Sequence, residues 1–465
     1  MILIIIKENY YSYLFNREEI MENKIEERGG WGSKFGFLMA AAGSAIGLGN
    51  LWKFPYLAAK FGGGLFVVVY LAIVVLLGFT MMLGELTIGR STRLEQYSAY
   101  RKLNKKWGFL GALGVLSAFM ILSFYSVVGG WVLKYIFTFL TGGVKGDPGA
   151  FFGTFSGTVG EPIFWHALFM IATLLIVLGG ISGGIEKASK IMMPLLFLFL
   201  IILVVRVLTL PGAGAGVAYY LKPDFTNFSL DIVVKAMGQV FFSLSLGMGT
   251  LVTYGSYLNG TEDLQENALT IPALDTLAAL LAGLAIVPAV VAFGMDLDAG
   301  PKLLFITLPK IFELMPLGGI FGLMFFVLVF FAAVTSSISL LEVPVAWVVD
   351  SKGWTRRNAV FFFATVCWII GIGASLSLGV WEMKFLPNMG LFDTLDYITS
   401  NIMLPLGGLL MSLFYTFAWG YEAPIAEIKK GSTFSLQSFW KLSMMVLVPI
   451  MMAVLFLTQM GILKL

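Results

Sequence analysis

Cysteine and histidine each occur once, as Cys367 and His166, both inside apolar runs. That excludes an intrachain disulfide framework and a Cys/His metal cluster of structural spacing, and it argues against zinc and haem chemistry. Charge is scarce as well: 12% of the 465 residues are charged and 58% are apolar. With a mean hydropathy of +0.89, too little polar material remains to cover a water-soluble globule. The basic residues are dispersed between apolar segments instead of forming a stripe, and the formal net charge is only +3, so no nucleic-acid partner is expected. Apolar stretches of roughly twenty residues recur along the whole chain, and the solvent for most of its surface must be lipid.

Hydropathy and punctuation predict about eleven spanning helices, at 34–59, 63–92, 108–140, 162–181, 186–209, 231–258, 270–296, 315–350, 358–377, 392–420 and 436–463. With the N-terminus inside, about 19 of the 30 basic residues fall on the cytoplasmic side, and an odd helix count leaves the C-terminus outside. The loop carrying Arg90, Arg93, Arg101, Lys102, Lys105 and Lys106 weighs most. The opening Met-Ile-Leu-Ile-Ile-Ile run is too short to span, and no small-residue cleavage site follows it, which argues against a signal peptide. Residues 1–20 are read as not native. Arg17-Glu18-Glu19 can be encoded by purine-rich codons like a ribosome-binding site before Met21, the mark of an over-extended start.

Two spans carry matching interruptions. The first contains Gly43-Ser44-Ala45-Ile46-Gly47-Leu48-Gly49-Asn50 and the sixth Ser243-Leu244-Ser245-Leu246-Gly247-Met248-Gly249. Two glycines in one turn cost a helix about 1 kcal/mol each relative to alanine, and neighbouring hydroxyls offer the backbone other hydrogen bonds. Either motif alone reads equally as a helix-packing contact. Together, at the head of each group of five helices, they are the pattern of an inverted-repeat transporter, in which freed carbonyls bind cations and half-helix N-termini face an anionic group.

Hard oxygen ligands suit sodium, and such groups are expensive in a bilayer unless they face a protein interior. The eighth span supplies Thr335-Ser336-Ser337 in an otherwise Phe/Val/Leu helix; the alternative is hydroxyls bonded back to their own helix. Asp275 in the seventh span would be strongly desolvated if isolated, so it should sit beside a cation, a donor network or water.

Ala41-Ala42-Gly43-Ser44-Ala45-Ile46-Gly47-Leu48-Gly49-Asn50-Leu51-Trp52-Lys53-Phe54-Pro55, with Gly238-Gln239-Val240-Phe241-Phe242-Ser243-Leu244-Ser245-Leu246-Gly247, resembles the neurotransmitter:sodium symporters, in particular their bacterial amino-acid branch. The resemblance covers helices one to ten. It implies an all-α polytopic membrane protein, a 5+5 inverted repeat (31–209 and 231–420) with unwound helices 1 and 6, preceded by an N-terminal cytoplasmic segment (1–30) and followed by helix 11 (436–463). It implies a first sodium at the Ala45 carbonyl, the Asn50 amide oxygen, Ser243 and Asp275, completed by the substrate carboxylate. A second sodium would lie between the carbonyls of Gly43, Ile46 and Ala332 and the hydroxyls of Thr335 and Ser336. Ser243 and Asp275 depart from the threonine and asparagine common in the family. Eukaryotic relatives bind chloride near this helix; Asp275 would supply that negative charge, so chloride independence is expected, with proton antiport on the return step as a further expectation.

By the same resemblance, the substrate carboxylate meets the first sodium, the amides around Leu48 and Gly49 and the Tyr125 hydroxyl. The amino group meets carbonyls near Ala45, Phe242 and Ser245, and Ile121, Phe242, Met248, Ser336 and Leu340 line the side-chain pocket. This apolar lining suits a neutral, hydrophobic amino acid, with an aromatic one preferred because Met248 adapts to bulk. Lys53 with Asp396, over Tyr125 and Phe242, would form the outer gate; Arg28 with Asp350, beside Trp31, would form the inner. Lys53 replaces the family's usual arginine and cannot make a bidentate fork. Glu85 is expected to hydrogen-bond the unwound backbone of helix six.

The resemblance places the chain in a bacterial inner membrane. The partners expected are an amino-acid substrate and the lipid bilayer, with a homodimer among the assemblies allowed. Three rival classes remain open: a sodium-independent or proton-coupled permease of the same architecture, a membrane-embedded enzyme, and a receptor or structural bundle. No nucleophile/base pair, metal cluster or phosphate loop supports the enzyme.

Overall fold

The computed structural model describes residues 29–295 and 303–464. Residues 1–20 and Arg28 lie outside the described residues, and with them the expected over-extended start and one half of the expected inner gate. Among the described residues the chain is helical, with only isolated bridges, Gly63 to Pro223 and Leu386 to Met389, in extended pairing.

Among the described residues, nine helices are long and apolar enough to cross a membrane: α3 (Gly64–Thr92), α4 (Lys105–Leu140), α5 (Gly160–Leu178), α6 (Ile181–Leu208), α9 (Leu264–Ala292), α10 (Gly318–Lys352), α11 (Arg356–Leu376), α12 (Leu391–Trp419) and α13 (Gln437–Gln459). A tenth crossing is the pair α1 (Lys34–Ala45) and α2 (Gly49–Lys60), bent by 54° at the break. The expected span 231–258 is present as two half-helices, α7 (Leu230–Ser243) and α8 (Thr250–Gly255), each too short to cross alone. Each of the eleven stretches read from hydropathy is helical, and nine of them, or ten with the bent pair, have the length and composition of a crossing among the described residues.

Helix ends follow local chemistry. Ser33 Oγ accepts from the Gly36 amide at the start of α1, Ser229 Oγ from Ile232 at α7, and Asp263 Oδ1 from Glu266 at α9. Gly353 ends α10 in the left-handed region that a C-terminal cap requires. The fifth crossing begins at Ile181, several residues before the expected 186, because the Gly179-Gly180 turn is followed at once by a π-turn over Ile181–Glu186. Short helices at Gln96–Leu103, Pro148–Gly157, Ala213–Leu221, Leu308–Leu314 and Glu422–Ile428 occupy stretches read from sequence as loops.

Large apolar residues such as Leu175, Ile191, Val205, Ile369 and Ile450 point outward, as lipid-facing positions do. Polar residues instead collect at the centre: Ser44, Asn50, Glu85, Gln239, Ser243, Asp275, Thr335 and Ser337 are all buried. They cluster around the two broken crossings, where backbone groups freed from helical pairing need partners.

Candidate functional site

In the first broken crossing α1 ends at Ala45, and Ile46 takes extended backbone (φ −72°, ψ 100°) before α2 resumes at Gly49. In the second, the chain turns over between Ser243 and Thr250, with Gly247 at φ +78° and Gly249 at φ +79°. Those values suit glycine and disfavour any residue with a Cβ. Ser245, at φ +54°, sits in the same region without being glycine, a strained position that its neighbours hold. Its hydroxyl donates to the Ser44 carbonyl at 2.8 Å and its carbonyl accepts from Thr250 Oγ1 at 3.1 Å, so one break is tied directly to the other.

Two buried side chains brace these segments. Glu85 accepts from the Gly247 amide at 2.6 Å, the contact expected for it from sequence. Gln239 donates from Nε2 to the Gly49 carbonyl at 3.0 Å. Between the breaks lies a cavity with about 30 Å³ open to the centres of water-sized molecules. Ala45, Leu48, Gly49, Ile121, Tyr125, Phe242, Ser245, Met248, Ser336 and Leu340, the residues expected around a substrate, all line it, together with Ser44, Gly47 and Ser243. The Leu48 amide donates to Tyr125 Oη at 3.4 Å. Gly47 has a packing reason to be glycine: a Cβ there would lie 2.8 Å from Ser336 Oγ and 3.2 Å from Tyr125 Oη.

At one side of the cavity, Asn50, Ser243 and Asp275 meet. Asp275 accepts from Asn50 Nδ2 at 2.8 Å, from Ser243 Oγ at 2.9 Å and from Tyr70 Oη at 3.4 Å. This is the donor network a buried carboxylate requires. The Asn50 oxygen accepts from the Gly47 amide at 3.0 Å, which orients it toward the unwound turn. Tyr70 and Gln239 were not singled out in the sequence, although each is an isolated hydrogen-bonding group in an apolar stretch, the signal that could have found them.

On the opposite side, the hydroxyls of α10 divide. Thr335 Oγ1 donates back to Phe331 and Ala332 within its own helix, at 2.9 and 3.1 Å. Ser337 bonds back to Val334 and to Thr173 on α5. Ser336 reaches across to the first crossing, with its hydroxyl 3.3–3.5 Å from the carbonyls of Gly43, Ser44 and Ile46, and one turn on Ser339 Oγ accepts from Ser44 Oγ at 2.7 Å. Thr335 is nevertheless adjacent to the break, since a Cβ on Gly43 would lie 2.9 Å from Thr335 Cβ.

Lys53 and Asp396 make no ion pair within 4.0 Å in this arrangement; the Lys53 ammonium lies 4.9 Å from the centroid of the Phe242 ring, and Asp396 accepts from Ser400 Oγ at 2.8 Å. A lysine is a compact point charge with no planar fork to hold a carboxylate, and an aromatic face nearby supplies an alternative partner. At the other end, Trp31 Nε1 donates to the Tyr254 carbonyl at 3.0 Å, and its ring packs edge-on against Phe37 and Tyr254. Asp350 lies in the last turn of α10, half-buried. A second ionic contact at this end, Glu342 with Arg356 at 2.5 Å, is joined by Tyr257 Oη at 2.8 Å and was not foreseen.

The profile described as "Sodium:neurotransmitter symporter family" matches residues 28–145 and 156–464. The chain belongs to this family. The symporter is 40% identical over 442 residues to the uncharacterized sodium-dependent transporter YhdH of Bacillus subtilis, covering 93% of this chain and 98% of that protein. It is 24% identical to the human sodium- and chloride-dependent taurine transporter, covering 87% of this chain and 73% of that one. Among solved structures it is similar to MhsT in complex with L-phenylalanine, with a TM-score of 0.86 and 41% identity over 93% of this chain and all of that one. The symporter is therefore a multi-span membrane transporter of a sodium-dependent family and not an enzyme.

Proposed function

We propose that the chain carries a neutral, hydrophobic amino acid together with sodium by alternating access, without requiring chloride. The observation that carries this reading is the cavity between the two breaks: polar hydroxyls and freed backbone on one side, and Ile121, Phe242, Met248 and Leu340 on the other. An amino-acid headgroup fits the first and an uncharged side chain the second. The similar MhsT was crystallised with L-phenylalanine, and an aromatic substrate suits this lining. With about 30 Å³ open, the cavity must widen before a substrate enters.

Two sodium ions are assigned as co-substrates. The first takes the Ala45 carbonyl, Asn50, Ser243 and Asp275; the second takes Gly43, Ile46, Ala332, Thr335 and Ser336. Both sets are hard oxygens, which suit an alkali cation. The convergence of Ser336 on the Gly43 and Ile46 carbonyls supports the second set, and the Asn50–Asp275 contact the first. Asp275 then provides the fixed negative charge that removes the need for chloride. A proton on Asp275 during the return step would exchange for the departing sodium. We assign the gates to Lys53 and Asp396 with Tyr125 and Phe242 outside, and to Arg28, Trp31 and Asp350 inside. The halves 31–209 and 231–420 rock about the site, with the N-terminus cytoplasmic and the C-terminus outside a bacterial inner membrane.

Radiolabelled uptake into proteoliposomes over a panel of neutral amino acids, with and without an inward sodium gradient and with chloride replaced by gluconate, tests this reading. Sodium-driven, chloride-indifferent accumulation of phenylalanine, tyrosine or tryptophan is expected. Equal uptake without sodium would instead favour the sodium-independent permease.

A further inference from the structure

A second cavity of about 410 Å³, with a lining distinct from that of the transport site, opens between α4, α10, α11 and the short helix Gln96–Leu103. Its walls are Ala112, Val115, Leu116 and Phe119 of α4, Pro344 and Trp347 of α10 and Phe363 of α11, closed at one end by Tyr97. Leu116 is 49% exposed, so the cavity communicates with the outer, lipid-facing surface. All three helices contribute residues within a few turns of the same end: α4 begins at Lys105, α10 finishes at Lys352 and α11 begins at Arg356. At 1.5 Å per residue the cavity therefore runs from about the headgroup level into the upper acyl region of one leaflet.

Its rim is positively charged. Arg101 Nη1 donates to Tyr97 Oη at 3.2 Å, and its guanidinium lies 5.9 Å from the centroid of that ring. A cation is thus fixed to the residue that closes the cavity. Lys105 and Lys106 follow on the next exposed turn. Among the described residues, no carboxylate lies within 4.0 Å of any of these three charges. Trp107 and Phe109 stack at 5.7 Å beside them, and Phe109 is exposed, the placement of aromatic residues at a membrane–water boundary. Inside, Trp347 packs edge-on to Tyr97, and its indole N–H is buried without a hydrogen-bond partner.

We infer that this cavity is a binding site for one anionic phospholipid of the adjacent leaflet, which the proposed orientation makes the cytoplasmic one. An acyl chain fills the apolar trough, and the phosphate lies against Arg101 with Lys105 and Lys106 around it. A zwitterionic lipid has the same chains but no net charge to meet the rim. The trough and the cations therefore select together for a lipid such as phosphatidylglycerol. Because the lipid would bridge α4, α10 and α11, its departure loosens the packing of α4 and α10, which also wall the transport site.

Native mass spectrometry of the detergent-purified full chain, titrated with dioleoylphosphatidylglycerol or dioleoylphosphatidylcholine, tests the site. The first phosphatidylglycerol is expected to bind about tenfold more tightly than phosphatidylcholine. Arg101→Gln should weaken phosphatidylglycerol about fivefold, the worth of one basic residue at an anionic surface, and leave phosphatidylcholine unchanged. Lys429→Gln, an equal charge loss elsewhere, should change neither, and Leu116→Trp, which fills the open wall, should weaken both lipids. Equal affinity for the two lipids overturns the site, as does an Arg101→Gln variant that binds like the parent. A Lys429→Gln effect as large as that of Arg101→Gln shows diffuse attraction to charge and overturns it too.

Discussion

Asn50 Nδ2 donates to the carboxylate of Asp275 at 2.8 Å and to the Asp275 backbone carbonyl at 3.2 Å, fastening the unwound part of the first crossing to the middle of α9. In the proposed function this carboxylate is the negative charge beside the first sodium. Replacing it with a neutral isostere keeps the shape and removes the charge. Asp275→Asn is expected to lower sodium-driven uptake at least tenfold in gluconate medium and to recover part of it when chloride is restored. Parallel uptake assays in the two media check this; a variant with unchanged, chloride-indifferent transport refutes the assigned role.

The adjacent hydroxyls of α10 give a sharper contrast. Ser336 faces the carbonyls of the first break, whereas Ser337 is satisfied by Val334 and Thr173. Ser336→Ala should raise the sodium concentration for half-maximal uptake about tenfold, and Ser337→Ala should leave it within twofold, for a ligand loss of about 1.4 kcal/mol. A sodium titration of both variants decides the matter, and equal shifts would assign the effect to general loosening of the helix.

Glu85 predicts a stability effect separable from ion binding. Its carboxylate is buried and accepts from the Gly247 amide at 2.6 Å, and removing it leaves that amide unsatisfied at a cost of about 1–3 kcal/mol. Glu85→Ala should lower the melting temperature in detergent by several degrees, whereas Glu85→Gln, which keeps an acceptor oxygen, should lower it less. Equal melting of the two variants would remove the bond from the account.

Helix packing supplies a fourth. A Cβ on Gly89 would lie 2.1 Å from the Val252 carbonyl and 2.8 Å from the Ser256 amide, so α3 approaches α8 at backbone contact. Gly89→Ala forces the helices apart and should cost about 1–3 kcal/mol, read as a lower melting temperature together with impaired transport. The comparison is Gly153→Ala, where nothing lies within 4 Å and no loss is expected.

Hydropathy made the crossings legible because a bilayer imposes length and composition on every helix. The two breaks were legible through closely spaced glycines, and Gly247 and Gly249 indeed occupy positive φ. Tyr70 and Gln239 were not, because their partners Asp275 and Gly49 lie far along the chain and pairing across a bundle leaves no periodic trace; the Glu342–Arg356 contact was not, because it depends on how α10 and α11 fold back at the turn between them. The same holds for Lys53: the resemblance implies Asp396 as its partner, but only three dimensions reveal the Phe242 ring beside its ammonium. Short connecting helices such as Ala213–Leu221 escaped because small and aromatic residues there lack the amphipathic repeat that marks a helix.

The central claim is that the two unwound segments bind sodium and the amino acid as neighbours, so each must tighten the other by the same factor. Equilibrium binding of radiolabelled phenylalanine to the purified protein, titrated in sodium and again with potassium in its place, measures that coupling directly. The account predicts an affinity that rises at least tenfold with sodium, a rise largely lost in Ser336→Ala. An affinity identical in sodium and potassium would contradict it.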